Sequence, residues 1–184
     1  MTFEFGKYKL IINNETNYDS NSLELFADYD KNFLTESEYL LSTIFGLKIF
    51  EKETQISSAI IGSEGGASGL SENSQIIETD RILICCSDSV YCLNLPSLDL
   101  NWKIKPDEIT SFRIFKIDGG YIIHGEIQIT RININGEILW KQGGADIFVN
   151  PDGEDELEIT EEYIKAVDWE NRVYKWDLNG KEIA

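Results

Sequence analysis

Three segments of the chain repeat one pattern at a spacing of about 40 residues. Val90-Tyr91-Cys92-Leu93-Asn94-Leu95, Ile129-Thr130-Arg131-Ile132-Asn133-Ile134 and Val173-Tyr174-Lys175-Trp176-Asp177-Leu178 align so that Asn94, Asn133 and Asp177 stand in register, 39 and then 44 residues apart. Each segment runs into a turn: Pro96-Ser97-Leu98-Asp99, Asn135-Gly136 or Asn179-Gly180. Asn-Gly between alternating apolar runs signals a type I′ hairpin, because both central residues of that turn need positive φ. Two of the return strands carry a tryptophan, Trp102 and Trp140, and the third stops where its tryptophan would fall. Upstream of each unit lies a further strand, Ile82 to Cys86, Tyr121 to His124 and Tyr163 to Trp169, so a three-strand meander recurs.

A unit of this size cannot bury both faces of its sheet alone, and stacking of neighbours is the remedy a β-propeller uses. Period-2 alternation puts Tyr91/Leu93/Leu95, Thr130/Ile132/Ile134 and Tyr174/Trp176/Leu178 on a core face. Ile127 and Ile129 fall out of phase with Ile132 and Ile134, which predicts a bulge near Thr130-Arg131. The expected fold is all-β, built of antiparallel meanders in a partial or irregular β-propeller-like arrangement, with a β-sandwich as the alternative. One domain is expected over 1–184. Residues 1–70 read as irregular N-terminal strands, with Phe3 to Ile12, Gly46 to Glu51 and Ile56 to Ile61 extended and Leu34 to Thr43 either a strand or a short helix. Residues 80–184 hold the three meander units. The glycine-rich run 62–69 separates the halves.

Charge excludes some partners. With 33 acidic against 16 basic residues the net charge is −17, and the bases are scattered singly among the acids. Nucleic acid is held through clustered Lys and Arg, so it is not an expected ligand, whereas a basic protein is. No run approaches the roughly 18 apolar residues of a membrane span, and none is expected. The first residues show no basic stretch followed by a long apolar run, so a cytoplasmic location is expected. Three cysteines, two of them adjacent at Cys85 and Cys86, suit buried reduced thiols better than a disulfide framework.

Catalytic parts are scarce. His124 is the only histidine, and it sits on an alternating strand as a packed residue would. The glycine run lacks the spacing of a phosphate loop and carries Glu64. Asp28, Asp30 and Asn32 open like a calcium loop, but Phe33 and Tyr39 occupy positions that require Gly and Glu. The densest charge run is Asp152, Glu154, Asp155, Glu156 and Glu158, followed by Glu161 and Glu162. It is either a solvated loop or a surface that selects a cationic partner. Trp102, Trp140 and Trp176 fall at repeat positions and read as core. Trp169, beside Glu170 in a turn, reads as an aromatic anchor for a partner. No enzyme activity, cofactor or metal is expected.

Residues Val90 to Lys105 and Ile127 to Gln142 resemble quinoprotein-type propeller repeats, in which strands run into a tight turn and a Trp. The runs Ile84 to Val90, Leu95 to Leu98, Gly125-Glu126, Gly144 to Phe148 and Asp168 to Asn171 resemble a set of small bacterial β-rich proteins of unassigned activity. These in turn are similar to immunity proteins of contact-dependent inhibition and other polymorphic-toxin systems. The resemblance implies a binding role, the blocking of a cognate toxin, and supplies no motif for the interface. The charge pattern makes a basic nuclease the expected partner, with Asp152, Glu154, Asp155, Glu156 and Glu158 standing in for phosphates and Trp169 as anchor. A quinoprotein-like cofactor- or calcium-binding propeller, or a general protein-interaction scaffold, are the alternatives.

Overall fold

A computed structural model describes residues 1–15, 28–149 and 156–183. The described residues form sixteen strands and no helix, arranged in four sheets. The first sheet has β1 (Thr2–Phe5), β2 (Tyr8–Asn14), β3 (Lys31–Leu34), β4 (Thr43–Glu51) and β5 (Thr54–Ser63) in the order β1-β2-β4-β5-β3. Its pairs are antiparallel except β3, which runs parallel to β5. The second sheet is the meander β6 (Gln75–Ile77), β7 (Arg81–Cys86), β8 (Ser89–Asn94) and β9 (Leu100–Ile104). The third repeats it with β10 (Ser111–Ile117), β11 (Gly120–Gly125), β12 (Gln128–Asn133) and β13 (Ile138–Gly143). The fourth has β14 (Leu157–Ile159), β15 (Tyr163–Val167) and β16 (Val173–Asp177), and its next strand is reduced to a bridge between Trp176 and Glu182.

Three apolar layers join the sheets in series. Leu10, Ile12, Phe45, Leu47 and Ile61 of the first meet Ile82, Ile84, Tyr91 and Leu93 of the second. The opposite face of the second, Leu83, Cys85, Val90 and Cys92, meets Ile114, Tyr121, Ile123 and Ile132 of the third. Ile122 and Ile129 of the third then meet Ile164, Ala166 and Trp176 of the fourth, with Phe148 between them. Because β7 and β8 are buried on both faces, they read as continuous apolar runs, and single-face alternation understates their burial. This is the stacking of propeller blades, in an open series of four.

Several details differ from the sequence reading. Ile134, expected on the core face, lies past the end of β12 beyond its register shift and is 48% exposed. Residues 35–42 form neither strand nor helix, and the units and their turns depart in two further ways. Each unit has one more strand than the meander expected, since β6, β10 and β14 precede the strands that alternate clearly. The Asn-Gly turns also are not type I′: Gly136 and Gly180 have φ of 81°, but Asn135 and Asn179 stay at negative φ. Each is a four-residue turn closed by Gly136 N–H to Asn133 O or Gly180 N–H to Asp177 O. The Asn133 side chain accepts from the Asn135 and Glu137 amides, and Asp177 accepts likewise from Asn179 and Lys181. Those in-register side chains hold the larger loop open, and the glycine then supplies the one positive φ it needs. The bulge expected near Thr130-Arg131 is present, as a register shift between Arg131 and Ile132.

The same glycines lock one sheet to the next. A Cβ at Gly136 would stand 2.6 Å from the Trp102 ring, and one at Gly180 would stand 2.7 Å from Trp140. Trp140 also donates its indole N–H to the Leu178 carbonyl at 3.0 Å. The return-strand tryptophans of the second and third sheets are thus each roofed by the turn of the following sheet.

Candidate interaction face

One end of the stack gathers the β7–β8, β11–β12 and β15–β16 turns with the segments that lead into β6, β10 and β14. Backbone hydrogen bonds tie these across sheet boundaries: Asp88 N–H to Glu64 O, Gly66 N–H to Ile109 O and Ser111 N–H to Ser87 O, all between 2.7 and 3.1 Å. Further along, Glu126 N–H reaches Thr110 O, Phe148 N–H reaches Glu126 O, and Trp169 N–H reaches Ile147 O. The turn end is therefore one connected surface with few free backbone torsions. Asp107 anchors its centre: its buried carboxylate accepts from the amides of Ile109, Thr110, Ile127 and Gln128. Asp168 does the same in the last turn, accepting from the Glu170 and Arg172 amides and the Tyr174 hydroxyl.

Acids dominate what this end shows to solvent. Glu64, Glu108 and Glu170 are exposed and Glu126 and Asp146 partly so, against Lys105, Lys141 and Arg172. Lys105 is shared between Asp88 at 3.3 Å and Glu108 at 3.1 Å, and Arg172 pairs with Asp168 and Glu170. Two apolar side chains stand among them, Ile109 and Trp169, the latter 46% exposed.

Beside this rim is a recess of about 410 Å³ lined by Leu70, Phe112, Arg113, His124, Val149 and Glu156. His124 is 1% exposed at its wall. Arg113 Nε donates to His124 Nδ1 at 3.1 Å, which leaves the proton on Nε2, and Nε2–H donates to the Phe148 carbonyl at 2.8 Å. Burial first, and the Arg113 guanidinium second, lower its pKa to about 4. A neutral imidazole with both nitrogens engaged has no free basic atom to offer a substrate. Burial likewise raises the thiol pKa of Cys86 to about 12 and of Cys92 to about 11, and that of Cys85 further. Thiols held protonated in this way are poor nucleophiles and poor metal ligands. Among the described residues no group of three His, Cys, Asp or Glu is placed to hold a metal.

The residues singled out in the sequence separate. Asp152, Glu154 and Asp155 lie outside the described residues. Glu156 forms an ion pair with Arg113 at the recess, with its Oε2 4.0 Å from His124 Nδ1. Glu158 lies on β14, bonded to the Tyr163 hydroxyl at 2.7 Å and 3.5 Å from Lys165. The Tyr163 contact, followed by Lys165, holds the Glu158 carboxyl below its usual range. Trp169 stands on the rim as an exposed aromatic. The sequence reading missed Asp107, although Asp-x-x-Thr ahead of a strand is the signal of a side chain that caps a turn.

No protein-family model and no curated protein matches the sequence. Among solved structures the chain is similar to the AfRom2 CNH domain, at 12% identity and a TM-score of 0.47 over 80% of this chain and 48% of that one. It is also similar to the WD40 β-propeller domain of Doa1, at 10% identity and a TM-score of 0.49 over 85% of this chain and 54% of that one. The chain spans about half the length of these domains. The propeller-like assignment rests on the four stacked sheets themselves, and none of these comparisons supports the resemblance to immunity proteins.

Proposed function

We propose that the chain is a protein-binding module whose working face is the turn end and whose partner is a basic protein. The observation that carries this reading is Trp169: a half-exposed indole on a backbone-tied acidic rim, the side-chain type that dominates interface energetics. Carboxylates around it raise the association rate of a cationic partner and fix its orientation, while the indole slows dissociation.

The narrower reading is an immunity protein that occludes a toxin nuclease. A cleft built to hold phosphates collects Lys and Arg, and an acidic rim pairs with the same cations. In this reading Asp152, Glu154, Asp155, Glu156 and Glu158 are the carboxylates offered to the nuclease cations. The experiment is affinity capture from the native source with the wild-type chain and with a Trp169→Ala, Glu126→Lys, Glu170→Lys variant, each shown to be folded by circular dichroism. Basic proteins held by the first and lost by the second support the module, and a nuclease among them supports the narrower reading. An identical captured set removes the turn end from the account.

A further inference from the structure

The first sheet ends at β1, and no strand among the described residues pairs the outer side of it. Ile12 N–H donates to the Met1 carbonyl, so in this antiparallel register Met1, Phe3 and Phe5 turn their backbone polar groups to β2 while Thr2 and Glu4 turn theirs outward. Both Thr2 and Glu4 are exposed. Such an edge is a template for a further strand, and β1 carries no Pro, Lys or bulge that would blunt it. Alongside it runs a groove of about 620 Å³ between the first and second sheets, walled by Phe3, Phe5, Tyr8, Ile77, Leu95 and Pro96. Phe3 and Phe5 share one face of β1, and the Phe5 and Tyr8 rings pack 5.4 Å apart.

The two features define a ligand. A strand laid on β1 has side chains beside Phe3 and Phe5 that enter the groove, and the residue between them stands beside Glu4 on the opposite face. We propose that this edge takes an extended segment of a protein partner by strand addition, with alternating apolar residues in the groove and a Lys or Arg opposite Glu4. A second copy of the chain fits less well, because β1 holds no cation to set against Glu4. This surface is separate from the turn end and stands or falls apart from it.

The test uses the full chain and a soluble eight-residue peptide of alternating Val and Lys, with a Val–Glu peptide and a Pro-substituted Val–Lys peptide as controls. Expected is saturable binding of the Val–Lys peptide alone, with amide exchange slowed at Thr2 and Glu4. Glu4→Lys is expected to weaken that binding about fivefold and to transfer preference to the Val–Glu peptide. Glu4→Pro removes an outward donor and no ladder bond to β2, so it abolishes binding while the thermal melt is kept. Failure of every peptide to bind at about 1 mM overturns the proposal. Equal binding of the Pro-substituted peptide, or slowed exchange at these amides arising from self-association instead, overturns it as well.

Discussion

Asp107 accepts four backbone N–H groups and no cation among the described residues is paired with it, so its carboxylate holds two turns of the third sheet by hydrogen bonding. Truncation would leave buried donors unpaired. We expect Asp107→Ala to cost about 3 kcal/mol in urea-induced unfolding, and a change below about 1 kcal/mol would show that water replaces it freely. His124 gives a second prediction, with a definite sign. Its folded pKa, about 4, lies below the value of 6.5 for an unperturbed side chain, so the unfolded state binds the proton first. Stability is therefore lost as pH falls from about 6.5 to 4, by about 3 kcal/mol in all, and this component is flat above and below that window. His124→Gln should remove this slope, measured as the difference between the two proteins across the window. The packing of His124 was legible beforehand and its partner was not: a lone histidine on an alternating strand says nothing of the arginine that meets it from a neighbouring strand.

At the scale of the element, the Asn-Gly turns of the third and fourth sheets do two jobs. Each glycine supplies a positive φ and leaves room for the tryptophan of the preceding sheet. Gly136→Ala meets both obstacles at once, and we expect it to destabilise by about 2–4 kcal/mol, whereas Ala at Gly119, where φ is positive but a Cβ meets nothing, should cost about 1 kcal/mol. Equal losses at the two positions would mean that the ring contact contributes nothing. The repeat itself was readable from its spacing, its Asn/Asp register and its Trp positions, because all three recur. The turn type was not, since Asn-Gly serves both hairpin families and the deciding contact is the Asn133 or Asp177 side chain four residues before the loop closes. The strands β6, β10 and β14 escaped for a related reason. They are short or irregular in pattern, and their partners lie across a turn and not along a recognisable alternation.

On the scale of the whole molecule, the stacking of the second to fourth sheets places every β7–β8-type turn on one end. This is how Ile84 to Val90, Gly125-Glu126, Gly144 to Phe148 and Asp168 to Asn171 come to form one rim, while Leu95 to Leu98 lies past the far end of β8, where Leu95 and Pro96 wall the groove beside β1. The sequence held those runs in plain view but not their convergence, which brings Glu64, Glu108, Glu126, Asp146 and Glu170 to one rim. Binding at such a rim should weaken with ionic strength, and Glu126→Lys with Glu170→Lys should flatten that dependence. The direct measurement is amide hydrogen exchange of the chain alone and bound to the most abundant protein it captures. The account predicts slowed exchange at residues 64–68, 107–111, 125–127, 145–148 and 168–172. Protection confined to other surfaces, with these segments unchanged, would contradict it.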